Sequence, residues 1–313
     1  MSKKIPIILY LAGALLVALG FFNILYGGTG AFEDDIEFEY AKYLYKKGFY
    51  DEASMELNRY IFFTEDMDKK LLAKILLSVC YVQKGDYSSA LGILYPLREQ
   101  LAGERKELSS VNRLCEVYYQ IFYILFLKKN LEDYVILREQ LNSLGFSCPE
   151  ELGLYIGRME LALYIYNLQW DKALEVLDEG ALVDDPIRAR IKEKLFEARL
   201  LHKKSPVLGG ILNLIPGLGY LYAGRFVEAG RSFLINGSFL VLAAYSLSQE
   251  KIGFGIAFST IGTITYIANI YGGVNAVRQR NAIDELRRSK KILEMIPIPA
   301  PGLIAVKNEI FGN

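Results

Sequence analysis

The chain has 313 residues, enough for two domains, and its 36 basic and 36 acidic residues leave no net charge. This balance argues against a nucleic-acid-binding protein, which usually presents a basic face. Apolar residues make up 52% of the chain, which is high for a soluble protein and low for one that lies wholly in a membrane, so they are expected to be confined to particular segments.

Charge is unevenly placed along the chain. Residues 32–200 hold 22 Lys and Arg against 30 Asp and Glu, whereas residues 201–313 hold 12 against 6. An acidic middle with basic, apolar ends predicts that the ends associate with a membrane and that the centre is solvated.

The first 31 residues are predicted to be a signal peptide or an N-terminal membrane anchor. Lys3 and Lys4 precede an apolar run over residues 5–26. A helix of about 22 residues spans roughly 33 Å, close to the hydrocarbon thickness, and signal peptides usually have a shorter apolar run. An uncleaved anchor and a signal cleaved after Ala31 both remain open. In either case, the chain after this run is expected to be exported.

Two segments of the middle region align without a gap, AKYLYKKGFYDEASMEL from Ala41 and SVCYVQKGDYSSALGIL from Ser78. Each has a small residue, then a glycine, a tyrosine and an alanine at the same offsets. A third copy keeps the last two positions as an aromatic residue and an alanine, with Leu168 in place of glycine. The signature residues of the three copies are Ala41, Gly48, Tyr50, Ala53, Ser78, Gly85, Tyr87, Ala90, Trp170 and Ala173. Between the second and third copies, a degenerate copy places Glu132 and Val135 at the tyrosine and alanine positions.

This pattern resembles the tetratricopeptide repeat, whose period is about 34 residues. The resemblance covers roughly residues 36–180. It implies helical hairpins stacked into a solenoid, with a groove that binds a peptide or another protein. The plain alternative is a stack of hairpins without a ligand. The predicted fold class is therefore all-α, with a tetratricopeptide-like solenoid over residues 32–204 and transmembrane helices at both ends of the chain.

Three apolar segments follow Ser205, over residues 206–224, 232–247 and 252–273. The last two should form an antiparallel hairpin. The first is expected to cross the membrane as a kinked helix, and the alternative is that it lies in the interface. Residues 205–277 are thus predicted to be a membrane domain of two to three helices. Residues 278–313 begin with six Arg and Lys and are predicted to be a basic cytoplasmic tail.

A glycine-rich motif marks this membrane domain. It resembles the C-terminal membrane domain of a family of bacterial exported repeat proteins and, distantly, two-transmembrane-helix domains with a G-x-x-F-Y-x-G-R-like signature. The resemblance covers about 70 positions and implies a membrane hairpin with a fixed glycine turn, but no reaction. Asparagines in such helices are expected to make hydrogen bonds between helices. The candidate residues are Pro216, Gly217, Gly219, Tyr222, Gly224, Arg225, Asn236, Asn269, Tyr271, Gly272 and Asn275.

The sequence predicts no enzyme, metal site or cofactor. It contains one histidine, His202, and no HExxH or phosphate-loop motif. Cys80, Cys115 and Cys148 lack the spacing of metal ligands and are expected to be small buried residues. One disulfide is the alternative if this region is exported.

Together, these patterns predict a bacterial cell-envelope scaffold. The repeat domain is expected to lie in the periplasm, to be tethered to the inner membrane and to bind a protein or peptide in its groove. Its other expected partners are the lipid bilayer and a second copy, through the membrane helices, and no nucleic acid. The alternative is a subunit of a membrane assembly or transport machinery in which the C-terminal hairpin domain is the functional part.

Overall fold

The computed structural model describes residues 30–103, 108–180, 182–298 and 302–312, and this part of the chain is helical, without strands. The predicted all-α class is confirmed. Residues 1–29, which include most of the predicted signal peptide or anchor, lie outside the described residues. The helices are α1 (Gly30–Lys46), α2 (Tyr50–Phe63), α3 (Met67–Gln83), α4 (Tyr87–Gly103), α5 (Leu108–Leu127), α6 (Leu131–Ser143), α7 (Glu150–Tyr166), α8 (Trp170–Glu179), α9 (Asp185–Arg199), α10 (Pro206–Leu212), α11 (Leu218–Tyr222), α12 (Phe226–Ser248), α13 (Ile252–Leu293) and α14 (Lys307–Phe311).

The chain divides into two compact units. Of the described residues, the first contains those up to Leu163 together with the C-terminal segment from Ile298, and the second contains those from Tyr164 to Pro297. In the first unit, each helix from α1 to α5 packs against the helix that follows it. In the second, α9 packs against both α8 and α13. By this division, α8 and α9 fall in the second unit, together with α12 and α13.

Four turns that join helices in the first 170 residues share one geometry. Gly48 and Gly85 adopt φ of +80° and +77°, which glycine tolerates without a steric cost. After each of them, the next backbone N–H donates to the carbonyl five residues back and completes the helix C-terminus. Lys129 and Leu168 hold the same position, at φ of 55° and 57°, and the same hydrogen bond follows each.

The predicted register of the degenerate copy is wrong by one residue. The alignment placed Glu132 and Val135 at the tyrosine and alanine positions. Counted from the positive-φ residue Lys129, these positions belong to Leu131 and Tyr134, and Tyr134 is fully buried. No glycine marks this turn. Lys129 adopts the left-handed conformation there, at a cost of about 1–2 kcal/mol.

The small residues of the repeat pattern are buried between helices. Ala41, Ala53, Ser78, Ala90 and Ala173 are all fully buried. The aromatic residues of the pattern each begin the second helix of their pair and are half-buried: Tyr50, Tyr87 and Trp170.

Two described helices, α12 and α13, are long and apolar enough to cross a membrane. They pack against each other and are joined by residues 249–251, so the predicted hairpin is present. The second helix continues without a break to Leu293. The predicted membrane domain and the beginning of the predicted tail therefore share one helix.

The first apolar segment does not form a single helix. Its two helices, α10 and α11, have seven and five residues, and even the longer one spans only about 10 Å. Pro216 cannot donate a backbone hydrogen bond, and Gly217 adopts a φ of +97°, so the helix cannot continue through them. The expected single crossing is thus replaced by two short helices that pack against α13.

Candidate functional site

Buried hydrogen bonds join the break between α10 and α11 to both long helices. Asn213 Nδ2 donates to the carbonyl of Asn269 at 2.6 Å, and Asn269 Nδ2 donates to the carbonyl of Asn213 at 2.9 Å. Gly219 N donates to Asn213 Oδ1 at 2.8 Å, and Ser232 Oγ donates to Asn269 Oδ1. We call these four residues the asparagine network. It connects α11, α12 and α13. Asn213, Gly219 and Asn269 are buried, and Ser232 is half-buried.

Glycines allow the backbones of the short helices and of α13 to come into direct contact. A Cβ atom added to Gly273 would lie 2.5 Å from the carbonyl oxygen of Gly209, and one added to Gly219 would overlap the same oxygen. A Cβ atom at Gly209 would lie 2.5 Å from Val277 Cγ2. Because close-packed atoms cannot approach so closely, a side chain at these positions would push the helices apart. Small residues at helix contacts are typical of membrane proteins.

Three predicted motif residues shape the turns on either side of α11. A Cβ atom at Gly217 would lie 2.6 Å from the carbonyl oxygen of Ala229. Gly224 adopts a φ of +78° after α11. Arg225 directly precedes α12, and its guanidinium donates to Gln279 Oε1 on α13. These residues therefore fix where the chain enters α12.

Two more motif residues contact the short helices. The hydroxyl of Tyr222 accepts a hydrogen bond from the backbone N–H of Ser205 at 3.3 Å. Gly272 lies directly against the hydroxyl of Tyr220, where a Cβ atom would overlap it. Both contacts hold α11 against its neighbours.

Of the other three predicted residues, only Asn236 contacts the asparagine network, through Ser232. Asn236 Nδ2 donates to the carbonyl of Ser232 at 2.8 Å within α12. Its Oδ1 is buried and has no hydrogen-bond partner among the described residues. Tyr271 and Asn275 are exposed on α13. Tyr271 and Asn275 therefore contribute little to the packing of the domain.

The outer surfaces of α12 and α13 are apolar and exposed. Only 17% and 11% of their most apolar stretches are buried, so neither is the core helix of a soluble unit. Soluble monomers rarely expose apolar patches of this extent, and such surfaces mark contact with a membrane or a partner. The most exposed apolar side chains include Phe226, Leu234, Leu240, Val241, Phe254, Ile264, Ile267 and Tyr271.

The first unit contains a second candidate site, where α1 and α5 bind the C-terminal end of the chain. We call residues 302–311 the tail segment. The side chains that bind it are called the tail-binding face: Lys42, Tyr45, Arg113, Glu116 and Gln120.

Glu116 lies at the centre of the tail-binding face and is fully buried. Its Oε2 accepts the backbone N–H of Ile304 at 3.0 Å and that of Ala305 at 2.6 Å, and its Oε1 accepts from Gln120 Nε2 at 2.7 Å. Burial raises the pKa of Glu116, and the N–H donors act in the opposite direction. A buried carboxyl group is costly unless it is hydrogen-bonded, so the tail segment satisfies a group that α5 cannot satisfy alone.

Further contacts lie at both ends of the tail segment. Gln120 Nε2 also donates to the carbonyl of Gly302 at 2.7 Å. Lys42 Nζ donates to the carbonyl of Ile310 at 2.8 Å and forms an ion pair with Glu39. Together with the bonds to Glu116, these contacts engage the backbone of the tail segment.

Side chains of the tail segment add apolar and ionic contacts. Leu303, Val306 and Ile310 are buried, and the ring of Phe311 stacks on another ring, that of Tyr45, at 5.8 Å. Arg113 connects the tail segment to α3, with its Nε 3.0 Å from Glu309 Oε2 and its second ion pair to Asp68.

A disulfide lies beside this site. Cys115, next to Glu116 on α5, is bonded to Cys148 in the segment before α7. Cys80 is a free, buried thiol, and burial raises its pKa to about 12, so it is almost entirely protonated at neutral pH. The sequence favoured three buried thiols, and the structure instead has the disulfide that was the alternative.

Contacts within each unit bear on membrane topology. The tail segment packs into the first unit, and in the second unit Ser289 Oγ on α13 donates to the carbonyl of Ile165 at 3.1 Å. The chain on either side of the α12–α13 hairpin therefore contacts residues of the predicted repeat domain. This differs from the expectation that a membrane separates the repeats from the tail.

Sequence reasoning missed the main residues of both sites except Gly219 and Asn269. For the asparagine network, the available signal was Asn213, a lone polar residue within GGILNLIPG. For the tail-binding face, it was Glu116 and Gln120, four residues apart on one side of a helix that is otherwise largely apolar. Among the described residues, no group of three or more His, Cys, Asp or Glu is placed to hold a metal ion.

Comparisons of the chain with models of protein families, with curated proteins and with solved structures found no match. Its function is therefore inferred from the geometry of its two candidate sites.

Proposed function

We propose that this protein is a scaffold of the bacterial cell envelope, in which a membrane-tethered repeat domain binds a protein partner through the tail-binding face. The observation that carries this proposal is the buried carboxyl group of Glu116, which accepts two consecutive backbone N–H groups of the turn that leads into α14. Recognition of backbone groups together with buried side chains is how many domains bind peptides. The tail segment thus has the contacts of a bound peptide.

The repeat assignment rests on the turns and the small residues. Four helix ends carry a positive-φ residue at the same place, and the alanines of the pattern are buried where helices meet. Both features agree with tetratricopeptide-like hairpins stacked into a solenoid, whose first helices line the binding surface. Glu116 and Arg113 belong to α5, and Lys42 belongs to α1, which are first helices of their pairs in this register.

The α12–α13 hairpin is the proposed tether. The first of these helices has 23 residues, enough to span about 34 Å. In the asparagine network, the side-chain amides of Asn213 and Asn269 are both hydrogen-bonded within the domain. Groups paired in this way stabilise the packing of a domain, which favours an anchor over the alternative of a transport subunit.

The proposed location is the inner membrane, with the repeats and the tail segment together in the periplasm. Lys3 and Lys4 before an apolar run favour export of the chain beyond that run. The disulfide between Cys115 and Cys148 also favours an oxidising compartment. The arginines after Val277 would then lie on the periplasmic side, whereas Lys and Arg near membrane helices usually lie on the cytoplasmic side. The side of the membrane on which the repeats lie is therefore a strict test of this proposal.

The docking function is tested by photo-crosslinking in cells with the full-length chain. A photoreactive residue replaces Lys46, whose ammonium lies 4.6 Å from the ring centroid of Phe311 at the rim of the tail-binding face. A control variant carries it at Met55 on α2, which is 71% exposed. We expect a discrete protein adduct from position 46 and none from position 55. Identical adducts from both positions, or none from position 46, would contradict the docking function.

A further inference from the structure

We propose that the tail-binding face is a site for short peptides that form a turn followed by a short helix, and that the chain's own tail segment occupies it in place of a partner peptide with the same chemistry. This inference rests on the proposed docking function and specifies its ligand. The partner is defined by two features of the tail segment, its backbone hydrogen bonds and the order of its side chains.

The backbone contacts define the first requirement. Glu116 accepts N–H groups from two consecutive residues, Ile304 and Ala305. Any residue except proline provides these donors, so a partner must present two adjacent non-proline residues in a turn that leads into a short helix. The carbonyls of Gly302 and Ile310 accept from Gln120 and Lys42, which adds two contacts that any sequence can make.

The side chains define the second requirement. Leu303, Val306 and Ile310 are 8%, 0% and 1% exposed, so three positions of the ligand must be apolar. Glu309 pairs with Arg113, so the residue before the last buried position is acidic, and Phe311 after it stacks on an aromatic ring. The partner is therefore a peptide with apolar residues three and then four positions apart, an acidic residue directly before the last of them and an aromatic residue after it.

Two observations favour exchange over a permanently bound tail. Lys307 and Asn308 in the middle of the tail segment are exposed, so these side chains add no buried contact. Gln120 Oε1 is buried and has no hydrogen-bond partner among the described residues, so the tail segment leaves one acceptor unused. A partner peptide with one further donor would satisfy it. A tethered segment acts at an effective concentration of about millimolar, so the exchange favours partners that bind tightly or are held nearby.

The test measures peptide binding to the full-length protein in lipid nanodiscs. The probe is a fluorescent synthetic peptide, GLIAVKNEIFG, which reproduces residues 302–312. The variant Ile310→Asp places a charge at a buried position and should release the tail segment. Should that variant not accumulate, Glu309→Lys serves the same purpose, because it replaces the partner of Arg113 with a like charge. A matched control peptide carries proline in place of Ala305 and lacks the N–H that Glu116 accepts at 2.6 Å.

We expect the probe to bind the tail-released variant at least about tenfold more tightly than the wild type, because the wild-type site is occupied. The proline peptide should bind the variant at least about tenfold more weakly than the probe, since it loses a charge-assisted hydrogen bond. Equal binding of the two peptides, or no saturable binding to either variant, would overturn the inference. If the probe binds but position 46 gives no adduct in cells, the peptide site is supported and the docking function is refuted.

Discussion

Asn213 and Asn269 bind each other reciprocally, because the side-chain nitrogen of each donates to the backbone carbonyl of the other, at 2.6 and 2.9 Å. One residue ends α10 and the other lies in α13, 56 positions later. The pair thus holds the broken segment before α12 against a helix that is long enough to cross a membrane. Inside a bilayer, little water is available as an alternative hydrogen-bond partner, so such pairs are expected to stabilise the packing of helices.

Replacing Asn213 with leucine should destabilise the membrane domain by about 1–3 kcal/mol, because the N–H of Gly219 would lose its buried acceptor. The measurement is unfolding of the full-length protein in mixed micelles with increasing dodecyl sulfate. Asn275→Leu is the control, since Asn275 is exposed on the same helix that carries Asn269. Equal unfolding midpoints for the two variants would show that the network does not hold the domain.

Gly273→Ala should lower the amount of assembled protein, because the new Cβ atom would lie 2.5 Å from the backbone oxygen of Gly209. Overpacking of this kind costs about 1–3 kcal/mol. Gly253→Ala on the same helix is the matched control, since a Cβ atom there meets no atom within 4 Å beyond its own stretch of helix. The yield of each variant after membrane extraction is compared with the wild type, and a normal yield for Gly273→Ala would refute the close contact.

In the first unit, Ala53→Leu and Ala90→Leu should each destabilise the full-length protein by about 1–3 kcal/mol, because both alanines are fully buried. Ser88→Leu is the control, since Ser88 is exposed on α4, two residues before Ala90. Urea unfolding followed by circular dichroism gives the comparison. If the alanine variants unfold like the control, the proposed repeat register fails.

Replacing both Cys115 and Cys148 with alanine should cost about 3–4 kcal/mol of unfolding free energy, because the bond closes a loop with a sequence separation of 33. Cys80 provides an internal check of the fold. Since its thiol is buried and its pKa is raised to about 12, it should react with Ellman's reagent only after unfolding. Fast reaction in the native wild type would contradict the burial of Cys80, and more than one reactive thiol after unfolding without a reductant would contradict the disulfide.

The helical pairs could be predicted where local chemistry marks them. Gly48 and Gly85 stand at left-handed turns, and alanines occupy the helix contacts, so the sequence pattern and the backbone agree. The degenerate pair was placed one residue off because Lys129 adopts the left-handed conformation, and no glycine marks that turn. Tertiary packing, which a local pattern does not contain, decides its register.

The sites were harder to predict because their contacts are distant in sequence. Glu116 meets Ala305 across 189 positions, and neither residue belongs to a periodic pattern. The hydropathy of residues 206–224 suggested a crossing helix, but Pro216 and the positive φ of Gly217 divide it into two short ones. Apolar character alone therefore located the membrane region without giving the path of the chain through it.

The central claim is that the repeats and the tail segment lie on one side of a membrane, with the α12–α13 hairpin crossing it twice. Single cysteines at Ser88, Gln249 and Asn308 test this, because all three positions are exposed. The native cysteines should not be labelled, since Cys80 is buried and the other two cysteines form a disulfide.

In spheroplasts treated with a membrane-impermeant maleimide, the account predicts labelling at positions 88 and 308. Position 249, in the loop between the two long helices, should be labelled only after the membrane is opened. Full labelling of all three variants in detergent serves as the control. Labelling of position 88 without position 308, or of position 249 together with position 88, would contradict the account.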